Sequence, residues 1–310
     1  MSSILSKTQL GTRPGGRPPA AVEITPEGVL AAAIPAPGQP PAYAYQALPA
    51  GALLPGIGEP NLRAPETIVN AIRTTLGQVS PRTKAVTLVV PDSVVRVFVL
   101  DFDSLPAKPV EVYPVLRFRL RKMVPFDVEH AGLSYQVLAQ NRNECRVLVG
   151  VLPGMILAEY EDAVRAAGYE PGAVLPSSLA TLEVINLMEA VLIANMSPLA
   201  LTTTIVNGQD LLLYRTLDLP EEPILRLDEV RRGIAVAAAY YEDKLGGRPK
   251  QLHFAGNSGT PESGAEEFAR WLDDPELSVV ELAARPATGA VTSLGTASIA
   301  GVAGALAGVR

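Results

Sequence analysis

The stretch that decides the fold is Ala190–Leu217, which reads AVLIANMSPLALTTTIVNGQDLLLYRTL. It contains three apolar runs of strand length, at 190–194, 199–206 and 209–217, and the second is rich in β-branched residues. Asn207-Gly208 separates the last two runs. This pair is a strong hairpin signal, because a type I′ turn needs a positive φ at both central residues. We therefore predict a three-stranded antiparallel meander here.

A similar pattern precedes it near the start of the chain. Short apolar runs at 21–24, 28–34 and 43–48 are separated by Pro and Gly, which is typical of strands and turns. A helix then begins at Pro65, and Gly77 is a natural stop for it. Two meanders, each followed by helices, predict an α/β protein of two related domains.

Between the meanders, residues 85–169 read as an inserted β-β-α-β-β-α unit. We expect strands 85–90 and 94–102 to form an antiparallel hairpin. A helix from Pro109, strands 133–139 and 145–152 and a helix at 155–167 follow. We predict further helices at 177–188, 227–245 and 263–272, a strand at 251–255 and a final Ala/Gly helix that ends at Arg310.

These elements divide the chain into four parts. We expect a flexible arm at 1–19, a first domain made of 20–84 and 170–189, the inserted subdomain at 85–169, and a second domain at 190–310. A length of 310 residues is comfortable for two domains, and a hydrophobic content of 48% supports packed cores.

Composition excludes several classes of function. The net charge of −6 argues against a nucleic-acid binder, which needs a basic face. The single cysteine, Cys145, excludes an internal disulfide and a Cys-x-x-Cys zinc cluster. The N-terminus lacks the apolar core of a signal peptide, and no apolar run is long enough for a transmembrane helix. We therefore expect a cytoplasmic protein.

Six short segments, in order along the chain, resemble the type IV pilus assembly protein PilM family. They are a strand-turn-strand segment, a basic helix that ends in Pro-Phe-Asp, an apolar run, a Glu-Tyr-Glu triplet, an Ala-Gly-x-x-Pro segment and a serine-rich helix start: Val86–Val97, Leu116–Asp127, Leu148–Pro153, Glu159–Glu161, Ala167–Pro171 and Pro176–Ala180.

The resemblance implies an actin-like, ribonuclease H-like fold with duplicated domains. It also implies a place in the cytoplasm, peripheral to the inner membrane, in the assembly platform of a type IV pilus. In that family a groove binds the N-terminal cytoplasmic tail of the bitopic membrane protein PilN. The cytoplasmic domain of the type II secretion protein GspL is related, so that system is an alternative, and a homo-oligomer is an open alternative to a single copy.

An actin-like ATPase needs glycine-containing hairpins that hold phosphates and acidic residues that organise Mg²⁺. The family's first hairpin reads approximately Asp-Ile-Gly-Ser-Ser-Ser-Val-Lys, where this chain has Glu23–Leu30, EITPEGVL. Glu23 and Thr25 therefore stand in a degenerate phosphate hairpin, and Pro26 has no N–H to donate. The second hairpin should contain Asp-x-Gly, but this chain reads Ala194-Asn195-Met196.

A late glycine turn is the third nucleotide element of the family. Here Gly256, Asn257 and Gly259 resemble the adenosine-side loop, with its run of glycines broken. With two of the three elements altered, we expect no catalytic residue, no metal site and no bound cofactor. The protein is then a non-catalytic scaffold. The alternative is an actin-like protein that binds ATP and magnesium and regulates pilus assembly through its nucleotide state.

Other candidate residues have simpler interpretations. His130 and His253 lack metal-ligand spacing, and Cys145 has no basic neighbour to activate it. Four carboxylates at strand and helix ends, which could suggest acid–base chemistry, are more typical of solvated turns: Asp101, Asp103, Asp127 and Glu129.

The basic residues Arg117, Arg121 and Lys122 leave two readings open. Arg117 and Arg121 are one helical turn apart and share a face. They are either part of a solvated helix surface or a contact for an acidic partner or for anionic lipid headgroups.

Overall fold

The computed structural model describes residues 17–36, 38–185, 189–257, 264–283, 291–292 and 297–307, with the backbone alone at 291–292. Most of the predicted arm 1–19, the end of the predicted helix 177–188, Gly259 and the last three residues of the predicted C-terminal helix lie outside these ranges.

The first domain is built on a mixed sheet of the strands β1 (Ala20–Ile24), β2 (Gly28–Ala33), β3 (Ala42–Ala47), β4 (Ala85–Val90), β8 (Glu170–Pro176) and β14 (Val291–Thr292). These strands lie in the order β14-β3-β2-β1-β4-β8. The first three in sequence form the predicted antiparallel meander, and β4 and β8 continue the sheet in parallel with β1.

The second domain repeats this plan. Its sheet has the order β11-β10-β9-β12-β13, in which β9, β10 and β11 form an antiparallel meander and β12 and β13 are parallel to β9. The turn itself lies one residue later than predicted. Asn207 still pairs with Asp210 and lacks a positive φ, so the two central residues are Gly208, with a φ of 60°, and Gln209, instead of the predicted type I′ Asn-Gly pair. The strands are β9 (Ala190–Ser197), β10 (Ala200–Asn207), β11 (Asp210–Asp218), β12 (Gln251–Gly256) and β13 (Ser278–Glu281). The repeated strand order confirms the predicted duplication.

The predicted hairpin between strands 85–90 and 94–102 is wrong. β4 is a buried central strand that pairs with β1 and β8, whereas β5 (Arg96–Phe102) pairs with β7 (Cys145–Leu152). A 3₁₀ turn, Asp92–Val94, redirects the chain between the two sheets. A continuous apolar strand covered on both faces is typical of a parallel sheet, and β4 fits that description.

The inserted subdomain has its own three-stranded sheet, in the order β5-β7-β6, where β6 is Gly132–Gln140. One face packs on the helix α2 (Pro109–Leu120) through residues such as Leu116 and Val149. The other face, including Leu148, packs against the second domain. The insertion therefore contacts both halves of the protein.

Helices cover both faces of the first sheet. On one face lie α1 (Pro65–Val79) and α3 (Gly154–Ala166), which share one core with the strands. The opposite face carries α4 (Ser177–Thr181) and α7 (Ala300–Ala307). The predicted division assigns α7 to the second domain, but its apolar residues contact the first sheet.

In the second domain, α5 (Pro223–Leu245) and α6 (Ala265–Leu272) pack on one face of the sheet around Phe254 and Phe268. The two rings stack with their centroids 4.5 Å apart. Over the described part of the chain, no helix combines the length and the apolar character needed to cross a bilayer.

Candidate functional site

The duplicated sheets place their corresponding turns around one cleft between the two domains. The β1–β2 turn contributes Thr25 and Glu27, and the carboxyl ends of β4 and β12 contribute Asp92 and Gly256. The cleft encloses a water-accessible volume of about 60 Å³. This volume accommodates a few water molecules.

Asp92 is the centre of a buried hydrogen-bond network that joins the two domains. Its Oδ1 accepts from the backbone N–H of Ser178 at 3.0 Å and from the Ser178 hydroxyl at 2.8 Å. Its Oδ2 accepts from Asn195 Nδ2 and from the Thr202 hydroxyl, both at 2.9 Å. Burial raises the pKa of Asp92, although these donors oppose the shift.

The network continues into the second domain. The Ser178 hydroxyl also contacts the Tyr214 hydroxyl. Thr202 gives its proton to Asp92, so its oxygen accepts a hydrogen bond of 2.9 Å from the Thr216 hydroxyl. Burial raises the pKa of Tyr214 well above its ordinary value, and the charge of Asp92 acts in the same direction. Each carboxylate oxygen of Asp92 thus has two protein donors, which is enough to satisfy it.

Glu23 is the second buried acid of the cleft. Its Oε1 accepts a hydrogen bond of 2.7 Å from the Ser177 hydroxyl, and its side chain lies against Gly301 so closely that a Cβ there would overlap it. Burial raises the pKa of Glu23 to about 7, and the charges of Asp92 and Glu27 add to the shift while Ser177 opposes it.

The β1–β2 turn uses its own backbone donors. The N–H of Thr25 donates to the Gly28 carbonyl at 2.9 Å, and the N–H of Gly28 donates back to the Thr25 carbonyl at 3.2 Å. Pro26 has no N–H. Glu27 places its carboxylate within reach of its own backbone N–H and of the Thr25 hydroxyl, and burial raises the pKa of this carboxyl. The turn therefore holds an internal carboxylate where a phosphate hairpin would present free N–H groups.

The β9–β10 turn differs from a phosphate hairpin in a similar way. Pro198 removes one donor, and the N–H of Ala200 donates to the Ser197 hydroxyl at 3.1 Å. Asn195, the middle residue of the Ala194-Asn195-Met196 segment, uses its amide to donate to Asp92. An amide in this position satisfies the neighbouring carboxylate instead of adding a second negative charge.

The predicted adenosine-side residues Gly256 and Asn257 line the cleft, while Gly259 lies outside the described residues. Gly256 has a φ of 107° and sits so close to Met196 that no side chain fits. The N–H of Asn257 donates to the Met196 carbonyl at 2.8 Å. This loop is thereby fastened to the end of β9.

These residues do not fit a triphosphate. A triphosphate needs uncommitted N–H donors and cations, and the described walls of the cleft offer three carboxylates instead, from Glu23, Glu27 and Asp92. The donors of the first turn are engaged internally. Among the described residues, no group of three or more His, Cys, Asp or Glu side chains is arranged to hold a metal ion.

The structure places the predicted basic residues on the inserted subdomain, away from the residues that line the cleft. Arg117 is half-buried and donates to the Ala131 carbonyl at 3.4 Å, and Arg121 pairs with Glu129 at 2.6 Å. Within the described residues, Lys122 has neither a hydrogen-bond partner nor an ion-pair partner. The three residues are near one another but do not form one free cationic surface.

The remaining candidates have structural roles. Cys145 is buried in the core of the insertion, and the exposed carboxylates Asp101 and Asp127 pair with Arg146 and His130. Sequence reasoning missed Asp92 and Ser178. The available signal was an acid two residues after the buried strand β4, because the carboxyl ends of parallel strands are where α/β sheets place their sites.

The fold allows comparison with solved structures. Neither a protein-family model nor a curated protein sequence matches this chain. A chain of the PilM–PilN type IV pilus biogenesis complex has a TM-score of 0.72 to it at 18% identity, covering 94% of this chain and 98% of that one.

Two further structures are less similar. The cytoplasmic domain of EpsL, an inner-membrane component of the type II secretion system of Vibrio cholerae, has a TM-score of 0.49 at 16% identity, covering 87% of this chain and 90% of its own. A Bacteroides thetaiotaomicron protein with an actin-like ATPase fold has 0.49 at 10% identity, covering 98% and 100%. The likeness to the PilM–PilN chain confirms the predicted actin-like fold and the resemblance to PilM at the level of fold.

Proposed function

We propose that this protein is a non-catalytic scaffold of a type IV pilus or type II secretion assembly platform. It works in the cytoplasm at the inner membrane and holds the N-terminal cytoplasmic tail of a PilN-like bitopic membrane protein. The observation that carries this proposal is the internally satisfied cleft. The likeness to a chain that was solved in a PilM–PilN complex supports the choice of partner.

The cleft supports the non-catalytic part. An ATPase closes its two domains on nucleotide, whereas here the Asp92 network already joins them through Asn195 and Thr202. To admit phosphates, the first turn would have to release its Glu27 carboxylate and expose its backbone donors. Opening the domains would also disturb the Asp92 carboxylate, which is costly because it is buried and accepts from four donors. The domains are thereby held in one arrangement, which suits a platform.

The contact between the loop that precedes α1 and the helix α3 supports our placement of the tail. The Glu159 carboxylate accepts from the backbone N–H groups of Asn61 and Leu62, both at 2.7 Å, and so fastens the loop before α1 to α3. Two large apolar side chains are exposed on the joined elements, Leu54 at 48% and Met155 at 78%. Leu54 is bonded to Asn61 across the loop, and Met155 lies one helical turn before Glu159.

We place the apolar side chains of the tail against Leu54 and Met155. A short peptide gains affinity by burying a few apolar anchors on a rigid platform, and methionine adapts well to such partners. The Glu159 contact keeps both elements in place, which lowers the ordering cost of binding. Binding of the tail to Leu54 and Met155 requires no nucleotide.

Titration of the full chain with the cytoplasmic tail of the bitopic membrane protein encoded beside it tests the partner. We expect binding with a Kd below about 100 μM, and about tenfold weaker binding for Met155→Gln and for Leu54→Gln. The matched control is Ile224→Gln, since Ile224 is 70% exposed on α5 in the second domain. Absence of binding at about 100 μM, or equal losses in all three variants, contradicts the proposal.

Thermal melting with millimolar MgATP tests the non-catalytic part separately. A ligand that binds the native state raises stability by mass action, so the proposal expects an unchanged Tm. A rise of several degrees would favour the ATP-binding switch, whether or not the tail binds.

A further inference from the structure

The helix α2 carries apolar residues on two opposite faces. Val112, Leu116 and Leu120 are buried against the inserted sheet. Val110 and Phe118, on the outer side, are each 73% exposed. A helix that contacts a core on one side normally shows polar residues to solvent on the other. The outer face of α2 is therefore unexplained by the fold of the described residues.

The exposed apolar residues form a continuous stripe. Val110, Pro114 and Phe118 are four residues apart, which places them one above another on a helix. We call Val110, Pro114 and Phe118 the outer stripe.

Basic side chains flank the end of the outer stripe. Arg119 and Lys122 are exposed, and in the described part of the protein neither forms an ion pair. Arg121 is exposed too, with Glu129 as its partner. Asp127, the other acid that follows α2, is paired with His130. Positive charge is thus concentrated beside Phe118 in a chain whose net charge is −6.

We propose that the outer stripe of α2 binds the surface of an anionic phospholipid membrane, with Phe118 at the acyl boundary and Arg119 and Lys122 on headgroup phosphates. Apolar side chains with flanking cations are what an interfacial helix needs. A membrane fits better than an acidic protein, because a convex helix stripe offers no pocket for a partner's anchor residue. A bilayer interface accepts apolar side chains without any such pocket.

The proposed attachment is weak by itself and does not rest on the tail-binding proposal. Each basic residue near an anionic surface adds a modest amount of binding, and stable anchoring takes two signals. A membrane-bound tail would supply the second signal, so the two contacts together would hold the protein at the bilayer with one fixed side facing it.

The experiment is flotation of the purified full chain with vesicles, without any partner. One set contains phosphatidylcholine alone, and the other contains about one third phosphatidylglycerol to give an anionic surface. We expect binding to the anionic vesicles only, and a decrease when salt screens the charges. No flotation with anionic vesicles overturns the proposal.

Variants then locate the surface. Phe118→Gln and the double variant Arg119→Ser/Lys122→Ser should each weaken vesicle binding about tenfold. The matched controls are Ile224→Gln for an exposed apolar residue and Arg82→Ser/Lys250→Ser for two exposed cations elsewhere. The controls should bind as the unmodified chain does, and all variants should keep its Tm.

Two outcomes count against the proposal at this stage. Equal losses in the controls would show that binding is not located on α2. A Phe118→Gln variant that binds vesicles normally, but dissociates a dimer seen by light scattering, would assign the outer stripe to a second copy of the chain.

Discussion

The carboxylate of Asp92, at the end of β4 in the first domain, accepts a 2.9 Å hydrogen bond from the side-chain amide of Asn195 in the second domain. Both residues are buried. The pair therefore couples the packing of one domain to that of the other. This relationship makes the cleft a structural joint, and its consequences can be measured.

Replacing Asp92 with Asn should destabilise the protein by about 2–4 kcal/mol, because an amide nitrogen would face two of the four donors that now meet the carboxylate. Urea unfolding at pH 7 measures the effect. Asp103→Asn, at an exposed position, should change stability by less than about 0.5 kcal/mol. Equal stability of the two variants would show that the joint is unimportant.

Asn195→Asp should be destabilising as well, by about 3 kcal/mol at pH 7, because it removes a donor and buries a second negative charge beside Asp92. The loss should shrink at pH 5, since one proton shared between the two acids relieves the repulsion. Urea unfolding at both pH values tests this. Asn143→Asp, in the exposed β6–β7 turn, serves as the control and should show no such pH dependence.

Glu23 should make stability depend on pH. Its pKa rises from 4.5 in the unfolded chain to about 7 in the fold, so the native state binds the extra proton between these values. The stability it contributes is present below pH 4.5 and is lost as pH rises through 7. The difference corresponds to about 3 kcal/mol.

Glu23→Gln isolates this effect, because Gln keeps an acceptor for Ser177 and does not titrate. Relative to the unmodified chain, the variant should gain about 3 kcal/mol between pH 4.5 and pH 8. The exposed Glu66→Gln should show no comparable gain. Parallel pH profiles for Glu23→Gln and the unmodified chain would rule out a titrating Glu23.

Gly304→Ala should destabilise the protein by about 1–3 kcal/mol, because a Cβ on Gly304 of α7 would overlap the Ala180 carbonyl of α4. The matched control is Gly77→Ala within α1, where the added Cβ meets open space. That change should stabilise the helix by up to about 1 kcal/mol. Thermal melting measures the stability change in each variant. A change of the same sign in both would contradict the close packing of α7.

The meanders were predictable because their signals are local. The glycine at 208 predicted the β10–β11 hairpin correctly, although the turn is formed by Gly208-Gln209 and not by Asn207-Gly208, because only Gly208 adopts a positive φ. β8 was missed, since Pro171, Gly172 and Pro176 argue against a strand. It is tolerated as an edge strand of the first sheet in the described residues, where a missing N–H leaves no partner unsatisfied.

The site was harder to predict than the fold. Glu23 and Thr25 could be located by alignment with a hairpin motif, but the internal use of the donors depends on the actual turn geometry. Asp92 meets Ser178, Asn195 and Thr202, which are 86, 103 and 110 residues away in sequence. No local pattern announces such contacts, because only the pairing of β4 with β1 and β8 carries Asp92 to the cleft.

The return of α7 to the first sheet has a consequence for biosynthesis. Val302 and Ala305 cover a face of the sheet that includes Ala21 and Val89. A ribosome makes those strands long before it makes α7, and domains generally fold as they emerge. This apolar face of the nascent first domain therefore stays uncovered until α7 has been translated, which makes the domain a natural client for a chaperone at that stage.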